Sequence, residues 1–113
     1  MAKLYKIIDA EIWLAAERAG VFNGAAIDLR DGYIHLSTAS QEKDTARLHF
    51  SGVEHLVLVA IDEPSIATAL KWEASRGGQL FPHVYDTLDP AKVLWVKPLL
   101  WTGETHEFPE LDA

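Results

Sequence analysis

Two histidines stand at the centres of short β-forming runs, His35 in "DGYIHLST" (residues 31–38) and His83 in "FPHVYD" (residues 81–86). Side chains alternate faces along a strand, so Tyr33, His35 and Ser37 share one face, as do Phe81, His83 and Tyr85 on the other run. Each face reads aromatic, imidazole, hydroxyl. An imidazole can donate, accept and carry a proton near neutrality, hydroxyls orient polar groups, and aromatic rings stack on flat ligands. If the two faces converge, they line one cleft suited to an aromatic, polyhydroxylated ligand such as a nucleotide or a sugar. The plainer reading is that each histidine is a half-buried packing residue whose ring nitrogen bonds a neighbour. Pro82 likewise reads either as part of the motif or as the mark of an edge strand or bulge.

Between the two runs lies "LKWEASRGG", residues 70–78. Arg76 there suits a phosphate, with Gly77 and Gly78 letting backbone approach it, and Glu73 is the nearest carboxylate. The alternative is an exposed Glu73–Arg76 pair on a helical turn. The five histidines make no H-x-H or H-x-x-x-H pair, so no metal site is expected, although His35 and His83 with a carboxylate would suffice for a metal-assisted hydrolase. There is no nucleophile elbow, no P-loop and no G-x-G-x-x-G. Trp13, Trp95 and Trp101 read as packing.

The elements that must hold these residues punctuate the chain clearly. Residues 3–8, "KLYKII", read as a first strand. Asp9 is placed to cap the following helix, which Gly20 ends. Asn23-Gly24 and Asp31-Gly32 are turns, the second leading into a strand over residues 33–38. Ser40 is a candidate cap for "QEKDTARLHF". "HLVLVAID", residues 55–62, is a continuous apolar run of strand length, expected at a sheet centre and buried on both faces. "KVLWVKPLLW" is a late strand. Five or six strands and two helices without a β-α-β rhythm predict an α+β fold, its mostly antiparallel or mixed sheet bent into two layers. One domain is expected over residues 1–103, with an acidic, irregular tail over 104–113.

With 113 residues, 49% apolar, the chain is sized for a single globular domain. The net charge of -7 speaks against non-specific nucleic-acid binding. Cysteine is absent, which removes disulfides, thiolate metal sites and cysteine nucleophiles. No apolar run approaches the about 20 residues that span a bilayer, and the N-terminal residues do not read as a signal peptide, so a cytoplasmic location without membrane attachment is expected. The protein partner is left open.

Taken together, "DGYIHLSTASQ", "TARLHF", "LVLVAID" and "LKWEASRGGQLFPHVYD" resemble the bacterial family known as domain of unknown function 952. The likeness runs roughly over residues 5–96. The family is grouped with the ADP-ribosyltransferase-like superfamily, and so implies a cleft between two small antiparallel sheets, with NAD as the substrate and no other cofactor. By that resemblance, His35 fixes a ribose hydroxyl and Ser37 or Thr38 holds the nicotinamide ribose or amide. Tyr33 or Tyr85 stacks the leaving ring, with His83 and Tyr85 as the later-strand element, and Arg76 holds pyrophosphate oxygens. The superfamily's catalytic glutamate near the end of a late strand has no counterpart in "VLWVKPLLW". Glu104 and Glu107 lie beyond it, which leaves Glu73 as the carboxylate to polarise an acceptor. The alternative is a binding or interaction domain that keeps the cleft without catalysis.

Overall fold

In a computed structural model, which describes residues 3–111, the chain is α+β with two antiparallel sheets and three helices. The first sheet has the order β1 (Lys3–Asp9), β3 (Leu56–Asp62), β6 (Trp95–Trp101), β7 (His106–Glu107). The second has β2 (Ile34–His35), β5 (Leu80–Val84), β4 (Leu70–Ala74). The helices are α1 (Ala10–Ala19), α2 (Ala26–Asp31) and α3 (Glu42–His49).

β1 and β3 pair over their full lengths, from Lys3 opposite Asp62 to Asp9 opposite Leu56. Both carry apolar residues on both faces, which is why two separate cores form. One holds Leu4, Ile8, Val59 and Ile61 with Trp13, Phe22, Ile34 and Val84. The other holds Tyr5, Ile7, Leu58 and Ala60 with Ala46 of α3 and Leu99 of β6. The apolar run at residues 55–62 is thus the expected central strand. Asp9 caps α1 by accepting from the N–H groups of Glu11 and Ile12, and Gly20 closes it at a left-handed φ of 78°.

The strand expected over 33–38 is shorter, and Pro82 explains why. Leu36 N–H donates to the Pro82 carbonyl at 3.0 Å. Proline has no N–H to return the bond, so the ladder cannot continue. Beyond it the chain turns to β1, where Tyr5 and Ser37 exchange main-chain bonds of 2.8 and 2.9 Å. That bridge joins the two sheets. Pro82 therefore sits in a central strand, not at an edge.

Three other expectations change. Residues 70–74 form β4, not a helical turn, so Glu73 lies on a strand. A third helix, α2, follows the Asn23-Gly24 turn; at six residues it is too short to show helical periodicity. Ser40 does not cap α3: Gln41 is the capping residue, and its side chain bonds Thr38 N–H and the Leu80 carbonyl. Within residues 104–113, His106–Glu107 pairs with Leu100 and Trp101, and Phe108 and Leu111 pack on the second core.

Candidate functional site

The phase of the β2–β5 ladder decides the site. Leu36 and Pro82 occupy a bonded position, so His35 and His83, one residue away, are opposed in the narrow non-bonded kind of pair. Their rings meet edge to face with centroids 5.4 Å apart. Tyr33 lies over His83 at 4.1 Å and contacts His35 at 4.7 Å and Tyr85 at 5.3 Å. The two patterned faces of the sequence do converge.

The same phase turns the His35 backbone away from β5, and two buried charged groups meet it. His35 N–H donates to Asp28 Oδ1 at 3.0 Å, and Lys6 Nζ donates to the His35 carbonyl at 3.0 Å. Lys6 stands between Leu4 and Ile8 on a face of β1 that is otherwise core, and is only 6% exposed. An ammonium there requires a partner. Asp28, 2% exposed, supplies it at 3.0 Å. Asp28 also accepts the Ala25 N–H at 2.8 Å, one half of a capping box for α2, and its Oδ1 lies 2.7 Å from His35 Nδ1. Burial alone would raise its pKa; the His35 ring, the Lys6 ammonium and the two backbone N–H groups overcome that and hold it at about 2. Lys6 moves the other way, since burial lowers its pKa more than Asp28 raises it. Gly24 makes room for this arrangement, because a Cβ there would stand 2.9 Å from the Asp28 Cβ, and its φ is +124°.

The far nitrogen of His35, Nε2, lies 3.0 Å from Asp31 Oδ2. Both ring nitrogens thus face carboxylates, which accept only, so both contacts are hydrogen bonds when the imidazole carries two protons. Arg30 donates to Asp31 at 2.9 Å and, ahead of His35, holds the Asp31 carboxyl below the usual range. On the other strand, His83 Nδ1 lies 2.8 Å from Glu73 Oε1, and the Tyr85 hydroxyl donates to the same oxygen at 2.7 Å. Those two bonds, Tyr85 first, lower the Glu73 pKa. Conversely, Tyr85 is pushed up to about 12 by its bond to Glu73 and by burial.

Tyr33, His35, Ser37 and His83 line a groove of about 540 Å³, together with Lys6 and Asp31. Tyr85 and Glu73 stand behind them, linked through the Tyr33 ring and the His83 bond. Thr38 lies off the groove, bonded to Gln41 and Ser40 at the approach to α3. The side chain of Arg76 lies outside the described residues. Asp28, Asp31 and Lys6 were not among the sequence candidates. Their signals are a lysine inside the apolar run "KLYKII" and two aspartates three apart just before "GYIH". No group of three or more potential ligands among the described residues could hold a metal ion. No helix there is long and apolar enough to cross a membrane.

Comparison with known proteins places the chain firmly. It is 42% identical to protein CC0527 of Caulobacter crescentus, whose crystal structure matches with a TM-score of 0.87 over 93% of both chains. The solution NMR structure of CC0527 matches with a TM-score of 0.84, over 94% of this chain and 91% of that one. No curated protein matches significantly. A family model described as "Protein of unknown function (DUF952)" covers residues 7–96. The chain belongs to the DUF952 family.

Proposed function

We propose that the groove beside the His35–His83 pair binds a nucleotide of the NAD type and that the surrounding carboxylates serve chemistry at its ribosyl carbon. The observation that carries this reading is the opposed imidazole pair, covered by Tyr33 and held by Asp28, Asp31 and Glu73. The family's grouping with ADP-ribosyltransferase-like proteins supports it, as does an α+β fold of two antiparallel sheets.

Rupture of the bond between nicotinamide and ribose sends its electron pair to the pyridinium nitrogen, so nicotinamide leaves neutral and positive charge develops on the ribose. Carboxylates fixed beside that carbon stabilise the charge without reorganising. Asp28 holds His35 at Nδ1, which aims Nε2 at a ribose hydroxyl once Asp31 yields it. Ser37 lies on the same groove wall. Tyr33 offers its ring face to the leaving group, with Tyr85 packed behind it. The acceptor attacks the same carbon and passes its proton to His83 on the groove wall, whose Nδ1 proton moves on to Glu73 behind it.

A second reading has one observation in its favour. Glu73 Oε1 already takes bonds from both His83 and Tyr85, an arrangement that also suits a binding domain without turnover. Calorimetric titration with NAD separates the outcomes. Saturable binding that His35→Ala weakens at least tenfold, with nicotinamide released by the wild type and not by Glu73→Gln, supports the catalytic reading. Binding without release supports the second. Unchanged affinity in His35→Ala overturns both.

A further inference from the structure

The outer side of the second sheet is open. β4 is its terminal strand, and among the described residues no strand pairs with its free edge. The ladder phase tells which groups that edge presents. Pro82 has no N–H, so Trp72 opposite it is a non-bonded position, and Lys71 and Glu73 exchange their main-chain bonds with His83 and Phe81. The bond from Tyr85 N–H to the Ala69 carbonyl, 2.9 Å, continues that phase. Leu70, Trp72 and Ala74 therefore direct their N–H and C=O groups outward. Natural edges are usually blunted by proline, a bulge, short length or charge, and the two charges on β4, Lys71 and Glu73, are of opposite sign. β4 is five residues long, has no proline, and pairs with β5 residue for residue without a bulge.

We propose that a second copy of the chain adds its own β4 to this edge, antiparallel, about a twofold axis at Trp72. The sequence "LKWEA" is complementary to itself in that register. Leu70 falls opposite Ala74 of the second copy, Trp72 opposite Trp72, and Lys71 opposite Glu73, the last pairing occurring twice by symmetry. Centring on Lys71 would oppose lysine to lysine, and centring on Glu73 would oppose glutamate to glutamate. Charge thus selects Trp72 as the centre. The three outward-facing residues supply about six main-chain hydrogen bonds across the axis. Trp72 is 41% exposed in the single chain, on the face away from the imidazoles, and its ring meets its symmetry mate.

The pairing also reaches the candidate site. Glu73, whose Oε1 takes the bonds from His83 and Tyr85, stands opposite Lys71 of the second copy, and that ammonium, 4.8 Å over the Tyr85 ring in the single chain, turns across the axis to meet it. The two grooves then lie on one face of a continuous six-stranded sheet.

Sedimentation and light scattering of the full chain test the state, and the lack of native cysteine gives a clean test of register. The dimer is expected in the wild type. Lys71→Glu weakens it at least tenfold, and adding Glu73→Lys restores it. Bonded strand positions lie about 5.5 Å apart at Cα, within disulfide reach, so Trp72→Cys cross-links to itself under mild oxidation. Leu70→Cys alone does not, but does when mixed with Ala74→Cys. A wild type that is monomeric at NMR concentrations overturns the proposal. So does a dimer indifferent to Lys71→Glu, or cross-linking that ignores register. None of these readouts depends on NAD, so the proposal and the functional reading fail separately.

Discussion

Replacing Asp28 by asparagine removes one charge from the centre of the candidate site while keeping the side chain's size. In the native protein that carboxylate meets Lys6, the His35 ring and two backbone N–H groups. Folding takes its pKa from an ordinary 3.8 down to about 2. The native state therefore binds fewer protons than the unfolded chain, and the contribution is full above about pH 5 and lost as pH falls through about 2. At about 1.4 kcal/mol per tenfold, Asp28 contributes about 2.5 kcal/mol as an upper figure. Lys6 opposes it, since its ammonium remains worse off than in water. Removing only the carboxylate is worse than losing this margin, because it strands a buried ammonium. Such losses run to about 3–5 kcal/mol. Urea unfolding at pH 7, followed by tryptophan fluorescence, should show Asp28→Asn losing about 3 kcal/mol with an unchanged denaturant slope. Adding Lys6→Met removes the stranded ammonium and should recover about 1 kcal/mol or more, net of what buried Glu42 loses with that cation. A single variant within about 1 kcal/mol of wild type, or a double variant less stable than the single, would refute the reasoning.

Two further outcomes follow from the same contacts. In Glu73→Gln the Tyr85 phenol loses its carboxylate neighbour and should ionise nearer its ordinary value of 10 than the native value of about 12, read by NMR of labelled tyrosine rings; an unmoved titration would show that Glu73 does not hold the phenol. His106 Nε2 bonds the Val53 carbonyl at 2.8 Å and its ring meets Trp101 at 4.9 Å, so His106→Ala should cost about 1–3 kcal/mol, measurable by thermal unfolding, and an unchanged midpoint would mean that the C-terminal strand is not tied down.

Much of the scaffold was legible because it follows local rules. Residues 3–8 and 55–62 declare strands by apolar β-formers, and Asp9 and Gly20 frame α1 by their capping chemistry. The convergence of Tyr33 and His35 with His83 and Tyr85 was legible as a shared alternation, though only register could establish contact. What stayed hidden depends on distant partners. Lys6 reads as one polar residue in an apolar strand until Asp28, 22 positions on, is folded against it. Glu73 reads as a helical-turn residue by its spacing of three from Arg76, although "LKWEAS" alternates apolar and polar groups as a strand does; pairing with Phe81 decides between the two. The acidic stretch after Gly103 hid a buried histidine, since charge count says nothing of one side chain that finds a carbonyl 53 residues away.

The most direct test of the central claim is a titration of labelled protein with NAD, monitored by backbone amide and imidazole NMR signals. Saturable shifts concentrated at Tyr33, His35, Ser37, His83 and Tyr85, with Asp28 and Asp31 moving alongside, are the predicted result. No shift at millimolar NAD would contradict it, and would leave His35 and His83 as histidines held in place by Asp28 and Glu73 for the sake of the fold.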